Sequence, residues 1–189
     1  GVSFSSVAWG DYDNDGDLDI LLTGLGSGGV RVAKLYRNAG PAPGSGWNFS
    51  EQTGAGLTGV SSSSVAWGDY DNDGDLDILL TGADSSFNPV ARVYRNDGGG
   101  FVAISAPLTG VSFSSVAWGD YDNDGDLDIL LTGLGSGGVR VAKLYRNAGP
   151  APGSGWNFSE QTGAGLTGVS SSSVAWGDYD NDGDLDILL

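Results

Sequence analysis

The sequence predicts an all-β fold, a β-propeller assembled from four-stranded antiparallel blades, and three observations carry that prediction. Residues 1–80 recur without a single change as residues 110–189. Inside that unit, residues 1–24 match residues 59–82 at every position but one, Phe4 against Ser62, so four related units begin 58, 51 and 58 residues apart. Periods near 50 residues mark solenoid or propeller arrays, whose units bury their faces only against one another. Third, the first unit reads as four short β-type runs separated by Gly, Pro, Ser and Asn, with no stretch of helical periodicity.

Taken in order, the first run covers residues 5–12 and brings Val7 and Trp9 to one face. The second, residues 18–23, is short and apolar, contains a β-branched Ile20 and stops at Thr23-Gly24, so it reads as a strand buried on both faces. The third covers residues 30–37 and the fourth residues 47–52, with the cluster at 38–46 taken as the separator. Four antiparallel strands per unit make a propeller blade. The 34 glycines suit many tight turns and disfavour long helices. The expected organisation is a first blade at 1–58, a shorter second type at 59–109, a copy of the first at 110–167, and the opening hairpin of a further blade at 168–189. Calcium-loaded β-helix rungs repeat at far shorter intervals, which disfavours that alternative.

Between the first two runs of every unit stands the same nine-residue string, Asp-Tyr-Asp-Asn-Asp-Gly-Asp-Leu-Asp. Five carboxylates so close repel one another unless a cation is held among them. The spacing follows the logic of an oxygen cage for calcium: positions 1, 3 and 5 turn carboxylates inward, Gly at 6 permits a bend, and position 7 offers its backbone carbonyl. The helical calcium hand closes its cage with Glu at position 12, but here that position is Leu22, so the carboxylate at position 9 is the closing ligand. The expected ligand residues are Asp11, Asp13, Asp15, Asp17 and Asp19; Asp69, Asp71, Asp73, Asp75 and Asp77; Asp120, Asp122, Asp124, Asp126 and Asp128; and Asp178, Asp180, Asp182, Asp184 and Asp186. One Ca2+ per loop makes four per chain.

These loops hold 20 of the 24 acidic residues, so the net charge of −16 belongs to sites and not to a generally acidic surface. That charge repels nucleic acid and anionic lipid, and no run approaches 18 apolar residues, so neither nucleic acid nor membrane insertion is expected. The absence of Cys and His removes thiolate and imidazole chemistry and most zinc sites. Without an initial Met or a signal-like segment, the chain reads as a processed piece of a larger product or an engineered chain.

Val7-Ala8-Trp9-Gly10-Asp11, followed by Asp15-Gly16-Asp17-Leu18-Asp19-Ile20-Leu21-Leu22, resembles the inner strand, calcium loop and second strand of the FG-GAP and VCBS repeat families. Leu35-Tyr36-Arg37-Asn38 and Val93-Tyr94-Arg95-Asn96 are similar to their third strand. These are the blades of integrin α-subunit propellers and of many bacterial surface proteins. The resemblance covers the whole chain. It implies a blade whose loop joins its two inner strands, with ions along one face of the disc. The identity of the repeats departs from natural families, whose blades drift apart, and implies recent duplication or an engineered or consensus origin.

Outside the loops, Trp9, Trp67, Trp118 and Trp176 precede each loop by two positions and are expected to pack blade against blade. Tyr12 is expected to shield the cage. Trp47 and Trp156, after Gly-rich turns, are the candidate sites for stacking on a sugar or for packing on the turn. Asn48-Phe49-Ser50 and Asn157-Phe158-Ser159 fit the glycosylation pattern. Glu51 or Glu160 with Asp84 or Asp97 would be needed for glycoside cleavage, and nothing in the sequence brings them together. The expected function is therefore a non-catalytic calcium-binding scaffold or an adhesion and recognition module, extracellular because such loops fill at millimolar calcium. The rivals are a lectin binding glycans between blades, a polysaccharide-lyase scaffold and an engineered chain with no ligand. Because propellers use about four to eight blades, the expected partners are identical chains or further blades that close the ring, with eight favoured over seven, and a glycan or protein ligand.

Overall fold

The computed structural model describes residues 1–42, 46–98, 100–150 and 156–189. Three four-stranded antiparallel sheets are followed by a two-stranded one, each in plain sequence order. The first sheet contains β1 (Ser3–Gly10), β2 (Asp19–Leu25), β3 (Arg31–Ala42) and β4 (Gly46–Glu51). The second contains β5 (Ser61–Gly68), β6 (Asp77–Ala83), β7 (Pro89–Asn96) and β8 (Phe101–Ala103). The third contains β9 (Ser112–Gly119), β10 (Asp128–Leu134), β11 (Arg140–Pro150) and β12 (Trp156–Glu160), and the last pairs β13 (Ala175–Gly177) with β14 (Asp186–Leu188).

The sheets lie face to face, with β1 beside β5, β5 beside β9, and β9 beside β13. The core is therefore held in the seams. Leu21, Val60, Val65, Ile78, Leu80 and Tyr94 fill the seam between the first and second sheets. Tyr70, Leu79, Val116, Ile129, Leu131 and Phe158 belong to the cluster between the second and third. Because a middle sheet has a neighbour on each side, Ile78, Leu79 and Leu80 are all fully buried, as the continuous apolar run requires. In the first sheet, where only one face is covered, β2 alternates between buried and half-buried positions over Asp19–Leu22.

The ends of the first three strands differ from the sequence expectation. The β1–β2 ladder runs from Gly10↔Asp19 outward, so Asp11 and Tyr12 belong to the loop and β2 extends to Leu25. The third strand does not stop at Arg37 but continues through part of the cluster taken as a separator, with Asn38 opposite Phe49 and Pro41 opposite Trp47. A register shift between those pairs absorbs the break, and Gly40 at φ +68° supplies the left-handed residue it needs. Among the described residues the only helical turns are single 3-10 turns at Ser27–Gly29 and Ser136–Gly138.

The seams carry repeated polar bonds as well as apolar surface. Ser6 and Ser64 accept, through Oγ, the backbone N–H of Val65 and Val116 at 3.2 Å. Trp67, Trp118 and Trp176 lie against Gly10, Gly68 and Gly119, which end the first strand of the preceding sheet, as expected of their packing role, whereas Trp9 has no preceding sheet and is 56% exposed. A Cβ on Gly68 would come within 2.6 Å of the Trp118 ring, so only Gly permits that approach. Tyr12 is not a lid over its own cage. Its ring stacks on Trp67 of the next sheet at 6.4 Å and 9°, because the loop backbone turns the side chain between the acidic positions into the seam.

Candidate metal centre

Each nine-residue loop closes the hairpin of its first two strands, and two left-handed residues make the turn. In the first loop these are Asn14 (φ 57°) and Gly16 (φ 91°), and the other three loops repeat the pair. Asp11 anchors the turn by accepting the N–H of Asp15 at 3.1 Å and of Gly16 at 2.9 Å. Asp19 lies at the opposite wall, fully buried, accepting the N–H of Tyr12 at 3.2 Å and of Asn38 at 2.7 Å. The position-9 carboxylate thus ties the loop to the third strand of its own sheet, a link that sequence spacing did not reveal.

Carboxylate oxygens converge in every loop to within 4.8 Å of one another. The groups are Asp11, Asp13 and Asp15; Asp69, Asp71 and Asp77; Asp120, Asp122 and Asp128; and Asp178, Asp180 and Asp186. Positions 1 and 3 are common to all four, joined by position 5 in the first loop and by position 9 in the rest. The side chains at position 7 point elsewhere. Asp75, Asp126 and Asp184 accept the carboxamide of Asn14, Asn72 and Asn123 from the preceding loop at 2.7, 2.9 and 2.8 Å. Their carboxylates stitch one loop to the next and stand outside the converging groups.

The electrostatics of the second loop are the most demanding. Burial raises Asp77 to about 7, opposed by the N–H of Asn96 and reinforced by the charge of Asp71. Asp71 rises to about 6 through burial and the charges of Asp73 and Asp69. Burial likewise raises Asp128 to about 6, and it raises Asp19. Asp71 Oδ1 is buried with no hydrogen-bond partner among the described residues. A buried carboxylate oxygen without a donor, beside further carboxylates that burial holds toward protonation, is a setting that a bound cation would stabilise. The donors are all hard oxygens, which fits calcium or magnesium and not a soft metal.

Arginines give the loops two different surroundings. Arg37 pairs with Asp13 and, at 2.7 Å, with Asp15, and Arg146 pairs likewise with Asp122 and, at 2.8 Å, with Asp124. Arg95 pairs instead with Asp97 at 2.9 Å, outside the loop. This division was legible in the sequence as Arg-Asn-Ala against Arg-Asn-Asp, but its meaning depends on where the guanidinium reaches.

The other candidate residues fall away from the loops' carboxylate groups. Trp156 packs edge-on against Tyr70 at 5.2 Å, inside the seam. Trp47 is exposed and lines a groove of about 500 Å³ with Trp9, Leu18 and Phe49. Glu51 and Glu160 are paired with Lys34 and Lys143 at 2.7 Å. Asp84 is held below the usual carboxylate range by the N–H of Asn88 and is occupied within its own turn. No described helix is long and apolar enough to cross a membrane.

Comparison with known proteins places the FG-GAP-like repeat on residues 11–80, 79–131 and 133–189. A search of curated proteins returns no match.

Proposed function

Since the chain belongs to the FG-GAP-like repeat family, we propose that it is a calcium-binding β-propeller scaffold, a non-catalytic recognition or adhesion module that works outside the cytosol. The observation that carries this reading is the convergence of three carboxylates in every loop, together with the unpartnered buried oxygen of Asp71. Bound Ca2+ would neutralise the group and give the orphan oxygen its partner. Position 9 would then connect the ion to the third strand through the N–H of Asn38, Asn96 or Asn147. Filling the loop would rigidify the blade as well as the hairpin.

The non-catalytic part of the reading rests on the same economy of acids. Glu51 and Glu160 are matched with lysines and nearly all other carboxylates lie in the loops, which argues against a carboxylate pair for acid-base work on a glycoside among the described residues. The extracellular part rests on calcium level, because loops of this type fill at millimolar and not at cytosolic concentrations. Titration calorimetry with CaCl2 and thermal melts in excess chelator test the proposal together. Four ions per chain and a lower melting temperature on chelation are expected. At free calcium about a hundredfold above the dissociation constant, linkage gives about 2.7 kcal/mol per site. No heat of binding and an unshifted melt would end the proposal.

A further inference from the structure

The two ends of this chain carry the two halves of a seam that the chain already contains. Between the second and third sheets, Tyr70 is fully buried, stacked on Trp118 at 6.1 Å and edged by Trp156 and Phe158. Moved by the repeat length of 109 residues, Tyr70 becomes Tyr179 at the C-terminal end, and its cage becomes Trp9, Trp47 and Phe49 at the N-terminal end. Tyr179 is 81% exposed and Trp9 56% exposed. Trp9 and Phe49 stand edge to face at 6.1 Å, lining a groove with nothing in it among the described residues. We propose that the occupant of this groove is Tyr179 of a second copy of the chain, in a head-to-tail assembly.

Four further features of the internal seam are duplicated at the free ends. Val7 is 57% exposed, while its equivalents Val65 and Val116 are 7% and 8% exposed under the preceding sheet. Ser64 Oγ accepts the N–H of Val116, and the equivalent Ser173 is free to accept the N–H of Val7. Asn72 donates to Asp126, and the equivalent Asn181 faces no acceptor among the described residues while Asp17 waits at the other end. Leu79 is fully buried in its seam, whereas its copy Leu188 is 72% exposed on the open face. Aromatic stacking, apolar burial and two directed hydrogen bonds fix the same register, which argues for a second copy over an unrelated partner. The contact joins different surfaces, so it forms a ring if the rotation closes. Two chains of four hairpins supply eight blade positions, within the range that propellers use.

Gly177 makes the contact testable without touching the fold. Its equivalents Gly68 and Gly119 lie within 3 Å of the incoming Trp ring, counted from a Cβ built on each, but at Gly177 such a Cβ meets nothing within 4 Å in the chain. Sedimentation velocity and light scattering on the 189-residue chain, over a dilution series in millimolar calcium, should give a mass of twice 19.2 kDa or a higher multiple. Gly177→Val and Tyr179→Ala should each weaken association at least tenfold while the far-UV spectrum is retained. Gly163→Val, at another open glycine, should leave association unchanged. A monomer at every concentration would overturn the proposal, and so would association that survives both end-face substitutions. Repeating the series in chelator separates it from calcium binding, since neither substituted residue, Gly177 or Tyr179, belongs to a converging carboxylate group.

Discussion

Arg95 gives its guanidinium to Asp97 at 2.9 Å, whereas the equivalent Arg37 turns into its own acidic loop and pairs with Asp13 and Asp15. The difference is one residue, Ala39 against Asp97. It leaves the second loop without the paired arginine that the first and third possess, and burial together with the charges of Asp73 and Asp69 raises Asp71 there to about 6. An arginine inside a loop competes with a metal for the same oxygens. The second loop should therefore bind calcium more tightly than the first. Asp97→Ala should release Arg95 toward Asp71 and Asp73 and weaken that loop by about two- to fivefold, the scale of an exposed ion pair. Ala39→Asp should strengthen the first loop in the same proportion. Calorimetry resolving the separate sites checks both, and unchanged affinities would discard the competition.

Positions 5 and 7 of a loop should respond differently to truncation. Asp15→Ala removes one of the three converging carboxylates of the first loop and should reduce calcium affinity there. Asp75→Ala removes the acceptor for Asn14 and should instead cost about 1 kcal/mol of folding stability with four ions still bound. Denaturant unfolding in saturating calcium, set beside a binding titration, separates the two. Equal loss of affinity at both positions would count against the backbone assignment at position 7.

The calcium-free protein should lose stability as pH rises. Asp77 at about 7 and Asp71 and Asp128 at about 6 lie above the ordinary carboxylate value of 3.8, so the folded chain holds more protons than the unfolded one. Their stabilising contribution is complete below pH 3.8 and is lost as pH climbs through 6 to 7. Melts in chelator should fall over that window, and saturating calcium should flatten or invert the slope. A chelated protein that gains stability from pH 4 to pH 7 would contradict the burial argument.

Tyrosine hydroxyls in the seams should divide into two classes. Tyr94 donates to Thr58 Oγ1 at 2.8 Å and accepts the Thr58 N–H at 2.9 Å, so Tyr94→Phe should cost about 1–3 kcal/mol by stranding those groups. Tyr70 has a buried hydroxyl with no partner among the described residues, and Tyr70→Phe should be neutral or stabilising. Tyr70→Ala empties the aromatic cage and should cost about 3–5 kcal/mol. Urea unfolding of the three variants provides the comparison.

The repeat period and the uninterrupted apolar runs made the layered all-β fold legible, because a strand such as Ile78-Leu79-Leu80 has both faces to bury and no helix length to do it in. The acidic loops were legible for the same local reason: Asn and Gly at fixed offsets force one turn. What the string could not carry was direction across a seam. Tyr12 and Asp75 each sit within a motif, yet their partners are Trp67 and Asn14, about sixty residues away in a neighbouring sheet. The extension of β3 past Asn38 was hidden by Ala-Gly-Pro chemistry that normally ends a strand and here makes a bulge.

The equivalence of the seams bears on how such a chain changes length. Excising any 109-residue stretch from an array of these units brings together two surfaces that are already partners elsewhere in it, and inserting one does the same. Unequal recombination at the gene therefore presents the fold with no packing problem it has not already solved. The number of sheets becomes free to drift by pairs with no change in side-chain fit.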